Sequence, residues 1–223
     1  MPHPLQKKLK FAFWLLALLD VTALISGFYI LHFAVKPLLI PVLILCLFFT
    51  DSPVTGKNLL TAGLIFSWMG DIFLLFENKH ALFFIFGLVS FLTTHIFYIF
   101  YFLRIKSSGI SILKKQPLVI VLVLAYGVTL VWLLFPYLND LKLPVIVYAA
   151  VICSMLLSSL HIVLKVNKKA AGYYMSGATA FVVSDSLLAI NKFYQPFACA
   201  DTFIMLTYCA AQYFIIRGYI EQK

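Results

Sequence analysis

Charge is scarce in this chain. Only 11% of its 223 residues are Asp, Glu, Lys or Arg, while 63% are hydrophobic and the mean hydropathy is +1.02. A soluble domain carries roughly a quarter of its residues as charges, so a water-solvated globular fold is excluded. Clustered charge is missing too. The net charge of +9 is spread singly over connecting segments, with no Lys/Arg block interleaved with aromatics, and nucleic acid is excluded as a partner. There is no Gly-rich phosphate loop, no GxSxG elbow and no HExxH. His3, His32, His80, His95 and His161 never pair at i, i+3 or i, i+4, which argues against a His-based zinc site. Cys46, Cys153, Cys199 and Cys209 lie in apolar runs without CxxC spacing. They read as small buried hydrophobes, not as disulfides or a metal cage.

What the chain has is long apolar runs, enriched in 22 Phe and 12 Tyr. A helix needs roughly 20 apolar residues to cross about 30 Å of hydrocarbon. The runs predict spans at 11–31, 37–50, 59–76, 81–103, 117–135, 143–164, 171–190 and 197–217. The second is short and is expected to borrow residues from His32 to Lys36. Breakers at Asp51 to Gly56, Ser107 to Gly109, Pro136 to Asp140 and Gln195-Pro196 separate the runs. The expected class is an all-α, polytopic membrane helical bundle of about eight transmembrane helices, forming one domain over 1–223 with no soluble appendage. The first span is too long for a cleavable signal peptide and carries Asp20. With the N-terminus inside, 13 of the 17 Lys and Arg fall on inner segments and four (Lys36, Lys79, Lys142, Lys192) on outer ones. That asymmetry predicts cytoplasmic N- and C-termini.

Two segments resemble each other. Gly63 stands eight residues before Asp71 and Gly177 eight before Asp185, and a small residue (Gly70, Ser184) precedes each Asp. Leu follows each Asp by three residues (Leu74, Leu188), and Asn-Lys comes after (Asn78-Lys79, Asn191-Lys192). Either two four-helix halves, 11–103 and 117–217, are repeats related by an axis along the membrane normal, or apolar helices coincide by chance.

A carboxylate in hydrocarbon costs several kcal/mol, so it is rarely there without a role or a partner. Asp20, Asp71, Asp185 and Asp201 all fall within predicted spans. Asp71 and Asp185 share one depth, roughly 8 Å from the outer ends of their helices. They form either a structural pair or a working dyad. Asp20 and Asp201 have no matching motif and read as structural. His95 and Tyr98 share a face of helix four, and Tyr208 and Gln212 share one on helix eight, with Asp201 a heptad earlier. Ser67 lies one turn before Asp71, and Lys36 is expected at the outer mouth of helix two. Singly, each is a snorkelling or core-bonding residue. Together with Asn191, Asp71 and Asp185, they predict one cavity near the outer leaflet.

Lys36-Pro37-Leu38, Gly70-Asp71-Ile72, the Gly87 to His95-Ile-Phe-Tyr98 run, Ser184-Asp185-Ser186 and Tyr208-Cys-Ala-Ala-Gln212 occur in order along the chain. In these motifs the chain resembles the lysoplasmalogenase-like (YhhN) family of membrane proteins, over helices two to eight. The resemblance implies hydrolysis of the vinyl ether of lysoplasmalogens to a fatty aldehyde and a glycerophospho-ethanolamine or -choline. It also implies that the family's two functionally important aspartates fall on Asp71 and Asp185, and it places the protein in a bacterial inner membrane.

The residues suit that chemistry independently. A vinyl ether hydrolyses by protonation of carbon, which leaves an oxocarbenium ion for water to capture. One carboxylic acid and one carboxylate suffice, as in glycosidases, and no metal or organic cofactor is required. The substrate would be a single-chain lysophospholipid entering laterally from the surrounding membrane lipids, its head group near Lys36 and Lys192. The rival reading is a small-molecule or proton-coupled transporter or channel, which also buries carboxylates on repeated helices. Against it, no span is broken in its middle by Gly-Pro.

Overall fold

The computed structural model describes residues 4–50, 55–105 and 109–222. Nine helices form among them: α1 (Pro4–Ile25), α2 (Tyr29–Phe48), α3 (Lys57–Leu75), α4 (Ala81–Arg104), the four-residue α5 (Ile112–Lys115), α6 (Leu118–Leu134), α7 (Lys142–His161), α8 (Lys168–Ala189) and α9 (Ala200–Glu221). No strand occurs among the described residues. The breaker residues 51–54, 107 and 108, and Lys106 and Lys223 of the charge asymmetry, lie outside them. The chain divides into two compact units, one ending at Tyr101 and the other beginning at Phe102.

Among the described residues, six helical segments are long and apolar enough to cross a membrane. α1 and α8 are as long, at 22 residues each, but carry Lys7, Lys8, Lys10 and Asp20, and Lys168, Lys169 and Asp185. Burial runs opposite to the rule for proteins in water. The most apolar segment, Leu118–Tyr137, has only 11% of its residues buried, while the least apolar of the six, Ala200–Glu221, has 50%. On α6, Val121, Leu122, Val128 and Trp132 are all exposed. In water such a surface would aggregate, whereas lipid solvates it, so apolar residues face out and polar ones in. The protein is a multi-pass helical membrane protein.

In the first unit the boundary between α1 and α2 departs from the sequence reading. The first span was expected to run to 31, but the chain turns at Ser26 and at Gly27, whose φ of 68° is left-handed. The second was expected at 37–50, borrowing residues from His32 to Lys36; α2 begins earlier still, at Tyr29, and carries Pro37 and Pro41 inside it. Lys36 is therefore not at a helix mouth. It sits in the interior of α2, 8% exposed. A proline has no N–H to donate, so Pro41 orphans the carbonyl of Pro37 four residues back. The Trp68 indole N–H of α3 donates to that oxygen at 2.8 Å, which is how a membrane helix keeps a proline. At the far end of α2, Lys57 Nζ donates to the carbonyls of Phe48 and Thr50 at 2.9 and 3.1 Å, closing the turn into α3. Asp20 is fully buried, with Oδ1 2.8 Å from His32 Nδ1 across the α1–α2 turn.

Small residues seat the remaining contacts, as they do between membrane helices. A Cβ on Gly63 of α3 would meet the Tyr98 ring of α4, and Thr94 Oγ1 donates to the Gly63 carbonyl at 3.0 Å. In the second unit, Gly177 of α8 lies against the backbone of α9, and Gly218 of α9 against the Tyr174 ring of α8. The Asn167 side chain accepts from the Ala170 N–H at 2.9 Å and donates to the Glu221 carbonyl at 2.8 Å, clamping the start of α8 to the end of α9. Cys46, Cys153 and Cys209 are buried as expected. Cys199 is not: it is exposed, at φ 58°, just before α9.

Candidate functional site

In the first unit, Asp71 is 1% exposed on α3, four residues before Leu75, the last residue of the helix. Ser67, one turn earlier, is fully buried, and so are His95 and Tyr98 on α4. Four of the residues expected to work together thus come from adjoining helices and are shielded from the surroundings. Gly70 is what lets α4 approach beside Asp71, since a Cβ there would stand 2.8 Å from the Phe91 ring.

In the second unit, Asp185 also lies four residues before the last residue of its helix, Ala189. The Tyr148 hydroxyl of α7 donates to its Oδ2 at 2.6 Å, the short distance of a charge-assisted bond. Next to it, the Tyr126 hydroxyl of α6 donates to Ser186 Oγ at 2.8 Å, and Ser186 donates on to the Val182 carbonyl at 2.6 Å. These groups line a narrow crevice between α6, α7 and α8 with about 40 Å³ of space, otherwise walled by apolar residues such as Leu130, Val145, Ile152 and Ala189. That is room for a water or a short stretch of aliphatic chain. A confined water needs two to four polar partners, and Asp185, Tyr148, Tyr126 and Ser186 can supply them.

The other residues singled out in the sequence fall as follows. Tyr208 and Gln212 on α9 are 4% and 0% exposed, and the Tyr208 ring meets Phe181 edge-on at 5.8 Å. Asp201 does not share their environment. It is the second residue of α9 and exposed, so it lies at the positive end of that helix, at the very edge of the Ala200–Glu221 span. Asn191 lies in a π-helical turn, Ile190–Tyr194, where its Oδ1 accepts from the Phe197 N–H at 3.3 Å and shapes the turn into α9.

Sequence reading missed Tyr148 and Tyr126. Among the twelve tyrosines it singles out only Tyr98 and Tyr208. Tyr148, however, lies six residues into α7, about 9 Å deep, where a hydroxyl has no water to bond and needs a protein partner. α7 and α8 are neighbours, and Asp185 at similar depth is that partner.

The model of the YhhN family matches residues 31–219. The lysoplasmalogenase TMEM86B of Homo sapiens is 34% identical over 178 residues, covering 79% of this chain and 70% of the relative. The lysoplasmalogenases TMEM86A of Homo sapiens and of Bos taurus are 30% and 31% identical over 171 and 168 residues, each covering 72% of this chain and 65% of the relative. The chain thus spans about two thirds of the length of these relatives. No solved structure matches it. The family match runs from the start of α2 almost to the end of α9 and includes both aspartate helices, so the chain belongs to the YhhN family.

Proposed function

We propose that this protein is an ether hydrolase of the membrane that cleaves the vinyl ether of lysoplasmalogens. Its similarity to lysoplasmalogenases over most of its length supports the substrate class. The observation that carries the chemistry is Asp185, held by the Tyr148 hydroxyl beside a water-sized crevice. In the proposed reaction a carboxylic acid protonates the alkene carbon next to the one bearing oxygen. The oxocarbenium ion is captured by water, whose proton passes to a carboxylate. The hemiacetal then collapses to a fatty aldehyde and the lysolipid's free hydroxyl.

Asp185 takes the carboxylate role, because the Tyr148 O–H donates to it and leaves it an acceptor. Asp71 takes the acid role, because a proton delivered to carbon must be kept from water and Asp71 is 1% exposed. Lys36, Ser67, His95 and Tyr98 from the first unit, and Asn191, Tyr208 and Gln212 from the second, are proposed to bind substrate. The reading of 11–103 and 117–217 as repeats belongs to the same proposal, and the identical offset of Asp71 and Asp185 from their helix ends supports it.

Purified protein is expected to release fatty aldehyde from lysoplasmalogen and nothing from a saturated lysolipid of the same head group. No aldehyde from either would end the proposal. Tyr148→Phe removes one hydrogen bond to a carboxylate and should slow turnover about tenfold in protein that still folds, with a modest fall in melting temperature. A variant of wild-type speed would remove Tyr148 from the site.

The proposal extends to orientation, with both termini in the cytoplasm as the 13-to-4 distribution of basic residues indicates. A Cys introduced at Lys79, an exposed residue between α3 and α4, is then expected to react with an impermeant maleimide from outside intact cells. Labelling only after the cytoplasmic face is opened would invert the topology.

A further inference from the structure

At the end of the second unit remote from Asp185, α8 and α9 form a second concavity. It is an open groove of about 390 Å³ that shares no residue with the crevice beside Asp185. Its outer end is basic. Lys168 and Lys169 are exposed on the first turn of α8, and Arg217 of α9 lies about one turn further in, over Tyr173. Arg217 is held in place on two sides, by the Tyr173 ring 5.6 Å beneath its guanidinium carbon and by Glu221 at 2.7 Å. With Glu221 counted, the charged residues of the groove still sum to +2 (three cations less one carboxylate). Its inner end is more apolar: past the Tyr173 ring that Arg217 covers stand Phe214, its ring 5.9 Å from that of Tyr173, and the uncharged Ser176. Gly172 leaves the floor open, since a Cβ there would meet nothing within 4 Å.

Charge therefore falls off along the helix axes. From Lys168 to Ser176, at the far end of the groove, is eight residues, about 12 Å. An ordinary anionic phospholipid has this polarity: a phosphate that the cations can bond, then glycerol and acyl carbons that pack on aromatic rings. A soluble anion would use only the outer end, and a zwitterionic lipid would leave the excess positive charge unmatched. We propose that the α8–α9 groove is a binding site for an anionic phospholipid of the surrounding bilayer, separate from the site of ether hydrolysis. Basic pockets between membrane helices at head-group level bind acidic lipids in this manner.

The test uses the purified full-length protein in detergent, with phosphatidylglycerol and phosphatidylcholine of matched chains offered in competition and retained lipid counted by native mass spectrometry. Wild-type protein is expected to retain phosphatidylglycerol preferentially. Lys168→Gln/Lys169→Gln/Arg217→Gln should reduce that preference at least about tenfold, since each basic group near the head group adds severalfold. Lys7→Gln/Lys114→Gln/Lys115→Gln removes equal charge elsewhere and should leave the preference unchanged. Lys168→Gln/Lys169→Gln spares the packed Arg217 and should show a smaller loss in the same direction, so a misfolded triple variant would not decide the matter. Glycerol 3-phosphate, the head group without chains, should not displace the lipid. The proposal is overturned if wild-type protein shows no preference, if both triple variants lose it equally, or if glycerol 3-phosphate competes as well as the whole lipid.

Discussion

Asp71→Asn and Asp185→Asn are each expected to lower aldehyde release from lysoplasmalogen by about 10²- to 10⁴-fold, the usual contribution of a positioned proton donor or acceptor. Neither should lower the melting temperature. Asn keeps the shape of Asp, and at 185 its amide oxygen can still accept from the Tyr148 hydroxyl 2.6 Å away. At 71 it removes a group whose charged form would be costly to hold at 1% exposure. A purely structural carboxylate predicts the reverse. Deleting it would strand whatever it pairs with, cost several kcal/mol and leave the turnover of the surviving folded protein intact. In the proposed reaction the two groups serve one proton-transfer sequence, so the double variant is expected to be little worse than either single one. Melting temperature and aldehyde release for three variants decide between these readings. A single variant with near-normal hydrolysis shows that its Asp is not catalytic.

Gly177→Leu is expected to leave no folded protein. Even a lone Cβ at 177 would lie 2.8 Å from Ile215 Cγ1, 2.9 Å from the Ile215 nitrogen and 3.0 Å from the Ala211 carbonyl oxygen. Two of these three atoms belong to the α9 backbone, so no rotamer change relieves the clash and α8 and α9 must separate. Gly177→Ala already carries the overpacking cost of about 1–3 kcal/mol, and a full Leu adds three more carbons to the same seam. Gly172 is the internal control on the same helix. With nothing within 4 Å of a Cβ, Gly172→Ala should match or exceed wild-type stability, since Ala is the better helix former by about 1 kcal/mol. Equal thermal unfolding of Gly177→Leu and wild-type protein in detergent would show that the α8–α9 seam is not close-packed.

The spans from α3 onward were legible because crossing a bilayer imposes a length and an apolar composition on each helix, and both are local properties of the chain. Most of these boundaries fall within a few residues of those expected: 59–76 became Lys57–Leu75, and 143–164 became Lys142–His161. The two aspartates were legible for a related reason, since an acidic group inside an apolar run is conspicuous wherever its partner lies. The start of α2 was not legible. Pro37 and Pro41 read locally as obstacles to a helix, and the carbonyl that Pro41 orphans at Pro37 is met by an indole N–H 31 residues away. Asp201 and Asp20 look alike in sequence, yet one is exposed on the first turn of α9 and the other fully buried against His32. Nothing in the sequence marks Tyr148 among the twelve tyrosines; only the packing of α7 on α8 brings it to a carboxylate 37 positions on. The sequence by itself determined what must avoid water and what is too polar for lipid, because transfer free energies belong to individual residues. Only the tertiary structure decided which buried donor meets which acceptor, because a hydrogen bond requires two groups within about 3 Å, and neighbouring helices, not neighbouring residues, supply the second.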